Sequence, residues 1–188
     1  MTTVLLCYPP GQSGGGMYLG WCKGWANTRG QLVDVPYTAS LDANSITDGV
    51  TALDAALKNT PGDVVVMGHS QGAQVISRWL RDHADDADAP DPSRVSFLLT
   101  GNPLRPGTGR IVGGVEVGGT TGQPTREDTR YSVTDVARQH DGWAIKGPLW
   151  GRNGWWGMFV DHMRYNGVDL NNAISRTVVG NTIYLTVG

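Results

Sequence analysis

Residues 63–80 read D-V-V-V-M-G-H-S-Q-G-A-Q-V-I-S-R-W-L, and the two halves of this stretch have different periods. Val64 to Met67 form an unbroken apolar run, the pattern of a strand buried on both faces of a sheet. From Gly72 the apolar positions take helical spacing, with Val75, Ile76, Trp79 and Leu80 on one side of a helix expected over 72–83. Between them lies Gly68-His69-Ser70-Gln71-Gly72. A sharp strand-to-helix turn here would lift the Ser70 hydroxyl above the sheet edge. It would also aim the free N–H groups of the helix at negative charge forming there. Gly68, Gly72 and Ala73 are small enough for backbones to pass close to a strained serine. Ser70 is therefore the candidate nucleophile.

The five-residue pattern G-x-S-x-G occurs a second time, at Gly11–Gly15 around Ser13. Context separates the copies. Pro9-Pro10 cuts Ser13 from the strand expected over Thr3–Tyr8, and more glycine follows instead of a helix. The loop Pro9–Ser13 suits a different task. An oxyanion hole takes one N–H from the residue after the nucleophile, here Gln71, and a second from a loop after an early strand. Gln12 and Ser13 are the candidates for that second donor, against the plainer reading of a surface turn.

Outward from the elbow, the elements alternate. Strands are expected at Thr3–Tyr8, Gln31–Tyr37, Asp63–Met67, Arg94–Thr100 and Tyr131–Ala137, with a last, peripheral one at Thr182–Val187. Helices are expected at Met17–Ala26, at Ser45–Leu57 capped by Asn44 or Ser45, at 72–83, and in a patch running to about Arg176. Asp82–Pro92 reads as a solvated acidic loop. Residues 101–122 read as loops with one small hairpin. The order strand–helix–strand predicts an α/β fold with a mostly parallel central sheet covered by helices. With 188 residues and no linker or repeat, it predicts a single domain over 1–188.

A serine nucleophile needs an imidazole to take its proton, and the imidazole needs a carboxylate to fix its tautomer. In this fold the order along the chain is serine, acid, histidine. His69 sits inside the elbow and is expected to point elsewhere. His83 closes a helix, and His140 reads as a polar loop residue. Asp141 follows the strand at Tyr131–Ala137, and His162 is the only histidine after it. Asp141 and His162 are the candidate acid and base. Asp135 is a rival acid held inside the strand, and Asp161 a weaker rival beside His162.

Composition narrows the alternatives. The net charge is −2 and no basic cluster occurs, which gives nucleic acid no footing. Apolar runs are far too short to span a membrane. Met1–Pro10 has no basic n-region and does not read as a signal peptide. The expectation is a chain that stays where it is made, has lost a leader, or leaves by another route. Cys7 and Cys22 read as buried thiols rather than a disulfide, and no metal-ligand spacing occurs, so no metal or cofactor is expected. Four Trp fall in 142–157. Trp143, Trp155 and Trp156 are read either as a lid or apolar rim for an acyl chain, or as core filling beneath a long loop.

Four ordered segments resemble the PE-PPE domain of mycobacterial proteins: G-H-S-Q-G-A at 68–73, G-N-P-L-R-P-G at 101–107, H-D-G-W-A at 140–144 and D-H-M-R-Y-N-G-V at 161–168. That domain is grouped with cutinase-like serine esterases of the α/β-hydrolase class. The resemblance implies a three-layer α/β sandwich, a Ser–Asp–His triad at Ser70, Asp141 and His162, and hydrolysis of small-molecule or lipid acyl esters. The family often has a second Asp soon after D-G-W-A. Here Ile145-Lys146 stand there, a departure that bears on the acid. The expectation is a domain standing alone from residue 1, without the PE or PPE N-terminal module, and such a free-standing copy would also fit a mycobacteriophage protein, such as the lysin B esterases. Two other functions stay open at this point: an inactive hydrolase fold serving as a binding or virion module, and an acyltransferase or thioesterase.

Overall fold

The computed structural model describes residues 1–115 and 121–188. Seven strands form one sheet: β1 (Thr3–Cys7), β2 (Gln31–Asp34), β3 (Val64–His69), β4 (Val95–Thr100), β5 (Ser132–Arg138), β6 (Ser175–Val179) and β7 (Thr182–Val187). Their order across the sheet is β2-β1-β3-β4-β5-β7-β6, and every neighbouring pair is parallel except β6–β7. The helices are α1 (Ser45–Asn59), α2 (Gln71–Asp82) and the short α3 (Trp155–Phe159). No helix among the described residues is long and apolar enough to cross a membrane.

Alternation along the strands sends side chains into two cores. On one face Leu5, Cys7, Val64, Val66, Phe97, Leu99 and Val133 meet the apolar stripes of α1 and α2. Trp79 of α2 is fully buried there, 5.5 Å from the Phe97 ring and 5.4 Å from Tyr131. On the other face Val4, Leu6, Met67, Leu98 and Val136 cluster with Tyr18, Trp21, Cys22, Tyr165 and Val168, which belong to a 3₁₀ turn and irregular chain. This second layer is thus built from loops rather than long helices.

Several expected elements changed form. The helix expected over Met17–Ala26 is a single 3₁₀ turn at Gly16–Leu19 followed by turns. Cys22, Lys23 and Gly24 have φ of 48°, 57° and 73°, values an α-helix does not admit. The chain bends there so that the indole N–H of Trp21 can reach the Thr100 hydroxyl at 3.2 Å. β2 ends at Asp34 rather than Tyr37: the Val35 N–H still reaches the Leu6 carbonyl at 3.0 Å, but the Tyr37 N–H turns back to the Val35 carbonyl at 2.9 Å and leaves the ladder. The helical patch before Arg176 shrinks to α3 and a 3₁₀ turn at Asp161–Met163, and β6 occupies Ser175–Val179. β6 also puts the expected last strand, β7, inside the sheet rather than at its edge. Ser45 Oγ does not cap α1. It accepts from the Ser40 N–H at 3.0 Å and donates to the Thr38 carbonyl at 3.1 Å. In the small hairpin read within 101–122, Val115 bridges Thr121, and residues 116–120 lie outside the described residues. Cys7 and Cys22 are buried free thiols. Burial pushes the Cys22 thiol up to about 12.

Candidate active site

The chain steps from β1 outward to β2, then back over β1 to β3 and on to β4. This reversal opens a crevice at the carboxyl ends of β1 and β3, the place where open α/β sheets take ligands. The Pro9–Ser13 loop leaves β1 at this edge, and Ser70 sits between β3 and α2.

Ser70 has φ 56° and ψ −115°, a conformation that costs a non-glycine residue about 1–3 kcal/mol. Its surroundings fix it. The Ser70 N–H donates to the Thr100 carbonyl at 3.1 Å, and its carbonyl accepts from the Gln74 N–H at 3.1 Å. The flanking glycines permit close backbone contact. A Cβ on Gly72 would stand 2.1 Å from the Cys7 carbonyl oxygen, and one on Gly68 would stand 2.6 Å from the Gly72 carbonyl. Larger residues at either position would push α2 off the sheet.

Asp141 follows β5, and His162 lies in the 3₁₀ turn just beyond α3. The two meet in a dry place: Asp141 is fully buried and His162 nearly so. His162 Nδ1 lies 2.9 Å from each carboxylate oxygen of Asp141. The carboxylate is held from other sides too. Oδ1 accepts from the backbone N–H groups of Trp143 at 2.9 Å and Ala144 at 3.2 Å, and Oδ2 accepts from the Tyr165 hydroxyl at 2.7 Å. Burial alone would raise the Asp141 pKa. The His162 charge and the hydrogen bonds from His162 and Tyr165 outweigh it, and the carboxyl sits below the usual carboxylate range. Burial, then the Asp141 charge, push the Tyr165 hydroxyl well up, so it stays a donor. His162 Nε2 is buried and has no hydrogen-bond partner among the described residues. With Nδ1–H turned to Asp141, that nitrogen is the acceptor a general base requires.

The His–Asp pair stands beside the elbow. A Cβ on Gly101, just after Thr100, would lie 2.8 Å from Asp141 Oδ2, 2.8 Å from His162 Cε1 and 2.7 Å from His69 Cε1. Gly101, with φ 57°, leaves room for all three. The His69 ring does not point away: its centroid is 4.4 Å from that of His162. His69 Nδ1 is 3.1 Å from the Thr100 carbonyl, and burial, then the His162 charge, push its pKa well down. His69 is therefore neutral, with Nδ1–H donating to Thr100, and packs under His162 without adding like charge.

The rival acids are engaged elsewhere. Asp135 is buried in β5, where it accepts from Arg105 Nη1 at 2.6 Å and Asn102 Nδ2 at 2.7 Å. Asp161 pairs with Arg152 at 3.1 Å. His140 Nδ1 is 3.2 Å from Asn153 Oδ1, and His83 Nδ1 is 2.8 Å from Asp86.

A cavity of about 210 Å³ opens at Ser70, lined by Pro10, Leu41, Gln71, Ile111 and Trp143 among others. Gln71 begins α2, so its N–H has no intrahelical partner. Its side chain is tied down: Nε2 donates to the Ser40 carbonyl at 2.6 Å, and Oε1 lies 3.2 Å from Ser45 Oγ. The Gln12 N–H donates to the Pro9 carbonyl at 3.2 Å, and Gln12 and Ser13 are exposed. Pro10 lines the cavity from that loop. Of the three Trp singled out, Trp143 lines it, and Trp155 and Trp156 are half exposed to solvent. Sequence reasoning missed Tyr165, Gly101 and the contact of His69 with His162. Tyr165 lies three residues after His162, and Gly101 opens the G-N-P-L segment, so both sat inside motifs already noticed.

A serine at a strand–helix elbow on a mostly parallel sheet, with a buried Asp–His pair after a late strand, is the layout of a cutinase-like α/β hydrolase. The fold of a cutinase-like protein from Cryptococcus sp. agrees: it superposes with a TM-score of 0.56 at 17% identity, covering 89% of this chain and 87% of that one. The chain belongs to the PE-PPE domain family, whose pattern matches residues 28–182. Two relatives from Mycobacterium tuberculosis are Esterase PE16, 33% identical over 149 residues, and SL1278 acyltransferase Chp1, 30% identical over 105 residues. These alignments cover 72% and 52% of this chain but 28% and 24% of the relatives, so the chain spans about a quarter of their length.

Proposed function

We propose that the chain hydrolyses carboxylic esters through Ser70, His162 and Asp141. The observation that carries this reading is the buried Asp141–His162 pair, held at 2.9 Å with Nε2 left as an acceptor, packed beside the strained serine elbow. His162 Nε2 takes the Ser70 proton as Oγ attacks the ester carbonyl. Asp141 stabilises the imidazolium through Nδ1–H and remains a carboxylate. The oxyanion takes the Gln71 N–H and a second donor from the Pro9–Ser13 loop, for which Ser13 is the candidate. Each such donor lowers the barrier by about 3–4 kcal/mol. The tetrahedral intermediate collapses, and His162 returns the proton to the departing alcohol. Water then attacks the Ser70 acyl-enzyme with His162 again as base, and the carboxylic acid leaves. Leu41, Ile111 and Trp143 give the cavity an apolar wall, which suits an acyl chain. The 33% identity to Esterase PE16 supports the ester reading.

The likeness to the acyltransferase Chp1 favours a second reading, in which an alcohol rather than water takes the acyl group from Ser70. Both are tested on p-nitrophenyl esters of increasing acyl length, with and without an added acceptor alcohol. Wild type is expected to release p-nitrophenol, and Ser70→Ala or His162→Ala to slow it by on the order of 10⁴-fold. Ser70→Ala running at the wild-type rate would refute the assignment. A new ester formed in place of free acid would show transfer.

A further inference from the structure

The chain from Asp141 to Met163 carries a surface rich in exposed large apolar side chains. Leu149, Trp150, Trp155, Trp156, Phe159 and Met163 are all exposed, Trp150 at 92% and Phe159 at 60%. These side chains are held outward by the backbone beneath them. A Cβ on Gly157 of α3 would stand 2.3 Å from the His140 carbonyl oxygen, and Met158 is buried beside it, so the inner side of α3 is pinned. On its outer side the Trp155 and Phe159 rings stack, with centroids 5.4 Å apart. Burying large rings ordinarily stabilises a fold, so a stacked pair kept in water at a fixed place marks a contact surface.

Charge shows what it contacts. Lys146, Arg152 and Arg164 are exposed within 142–168, whereas the acid in that stretch, Asp161, is buried and paired with Arg152 at 3.1 Å. The whole chain carries a net charge of −2, so this cationic aromatic region runs against the overall balance. Trp and Phe beside Lys and Arg suit the boundary of an anionic lipid layer: rings enter at headgroup depth and cations meet phosphates. A second copy of the chain is the poorer occupant, because a symmetric contact would set like cations against each other.

We infer that the surface around Trp150, Trp155 and Phe159 docks the protein on an anionic lipid layer. This deepens the ester-hydrolase reading by naming the surface that presents the substrate. Met163 is adjacent in sequence to His162, and the docking segment joins Asp141 to His162, so the docking surface and the proposed acid and base share one stretch of chain.

The test is co-sedimentation of the whole chain with phosphatidylcholine vesicles, with and without phosphatidylglycerol, while Trp emission is recorded. Wild type is expected to sediment with the phosphatidylglycerol vesicles and to shift its emission to the blue. Trp150→Ala and Phe159→Ala should each lower partitioning by on the order of tenfold. Lys146→Gln with Arg164→Gln should lower it about fivefold per charge, and added salt should mimic that loss. Neither ring variant should change hydrolysis of a short soluble ester. Ser70→Ala should still sediment, so a failed catalytic assignment and a failed docking assignment are distinguishable. No sedimentation of wild type, equal binding to both vesicle types, or binding untouched by the ring variants would each overturn the inference. So would a dimer in sedimentation velocity that Trp150→Ala turns into a monomer.

Discussion

Replacing Asp141 by Asn tests the identity of the acid, and its effect follows from the hydrogen bonds at the carboxylate. Oδ1 accepts from Trp143 N–H and Ala144 N–H at 2.9 and 3.2 Å, so the amide oxygen of Asn would take that place. The amide nitrogen then faces Tyr165 Oη and His162 Nδ1, each of which now donates to Oδ2 at 2.7 and 2.9 Å. The Tyr165 hydroxyl can rotate and accept. His162 can accept only by moving its proton from Nδ1 to Nε2, and an Nε2–H cannot take the Ser70 proton. The expected loss in kcat is about 10⁴-fold, roughly 5.5 kcal/mol in the barrier. The fold should survive, at a cost of about 1–3 kcal/mol for the altered buried bonds. The assay is kcat on a short p-nitrophenyl ester beside a urea midpoint. The control is Asp135→Asn, which breaks the buried pair with Arg105. It should cost about 3–5 kcal/mol of stability while the folded fraction turns over within a few-fold of wild type. Asp141→Asn retaining more than a tenth of the wild-type kcat, with Asp135→Asn abolishing it, would refute the assignment.

Other outcomes follow from neighbouring contacts. Tyr165→Phe removes one hydrogen bond to Asp141 and should lower kcat about tenfold with KM unchanged, by an amount near 1.4 kcal/mol. An equal loss in KM would place Tyr165 at the substrate instead. The Asp141 pKa is lower in the folded chain than in the unfolded one. Its stabilisation is thus fully present above about pH 4 and is lost as pH falls through the folded value. Acid unfolding should therefore be less steep in Asp141→Asn, read by circular dichroism. Cys7 and Cys22 should resist a thiol reagent in the native state and both react in denaturant, because burial raises both pKa values.

The centre of the sheet was legible because β3 and α2 have clean, different periods, and the expected and observed bounds of these two elements differ by a residue or two. The pairing of Asp141 with His162 was legible from chain order, since a single histidine follows Asp141. Chain on the second face was not legible. Residues 17–26 have the apolar density of a helix, but positive φ at Cys22 and Lys23 is invisible in residue type. β6 escaped because all five of its residues are exposed, leaving no buried alternation to read. The Trp-rich stretch kept two readings because periodicity cannot say whether a ring faces inward. In the structure Trp143 turns to the cavity, whereas Trp150, Trp155 and Trp156 turn to water. His69 was misjudged because the ring's direction depends on Gly101, thirty-two residues away, leaving space between it and His162.

The most direct test of the central claim is labelling by a fluorophosphonate probe followed by peptide mapping, with Ser70→Ala and Ser13→Ala in parallel. Wild type and Ser13→Ala should each carry the label on Ser70, and Ser70→Ala should carry none. Wild type that does not label, or Ser70→Ala that labels fully, would contradict Ser70 as the nucleophile.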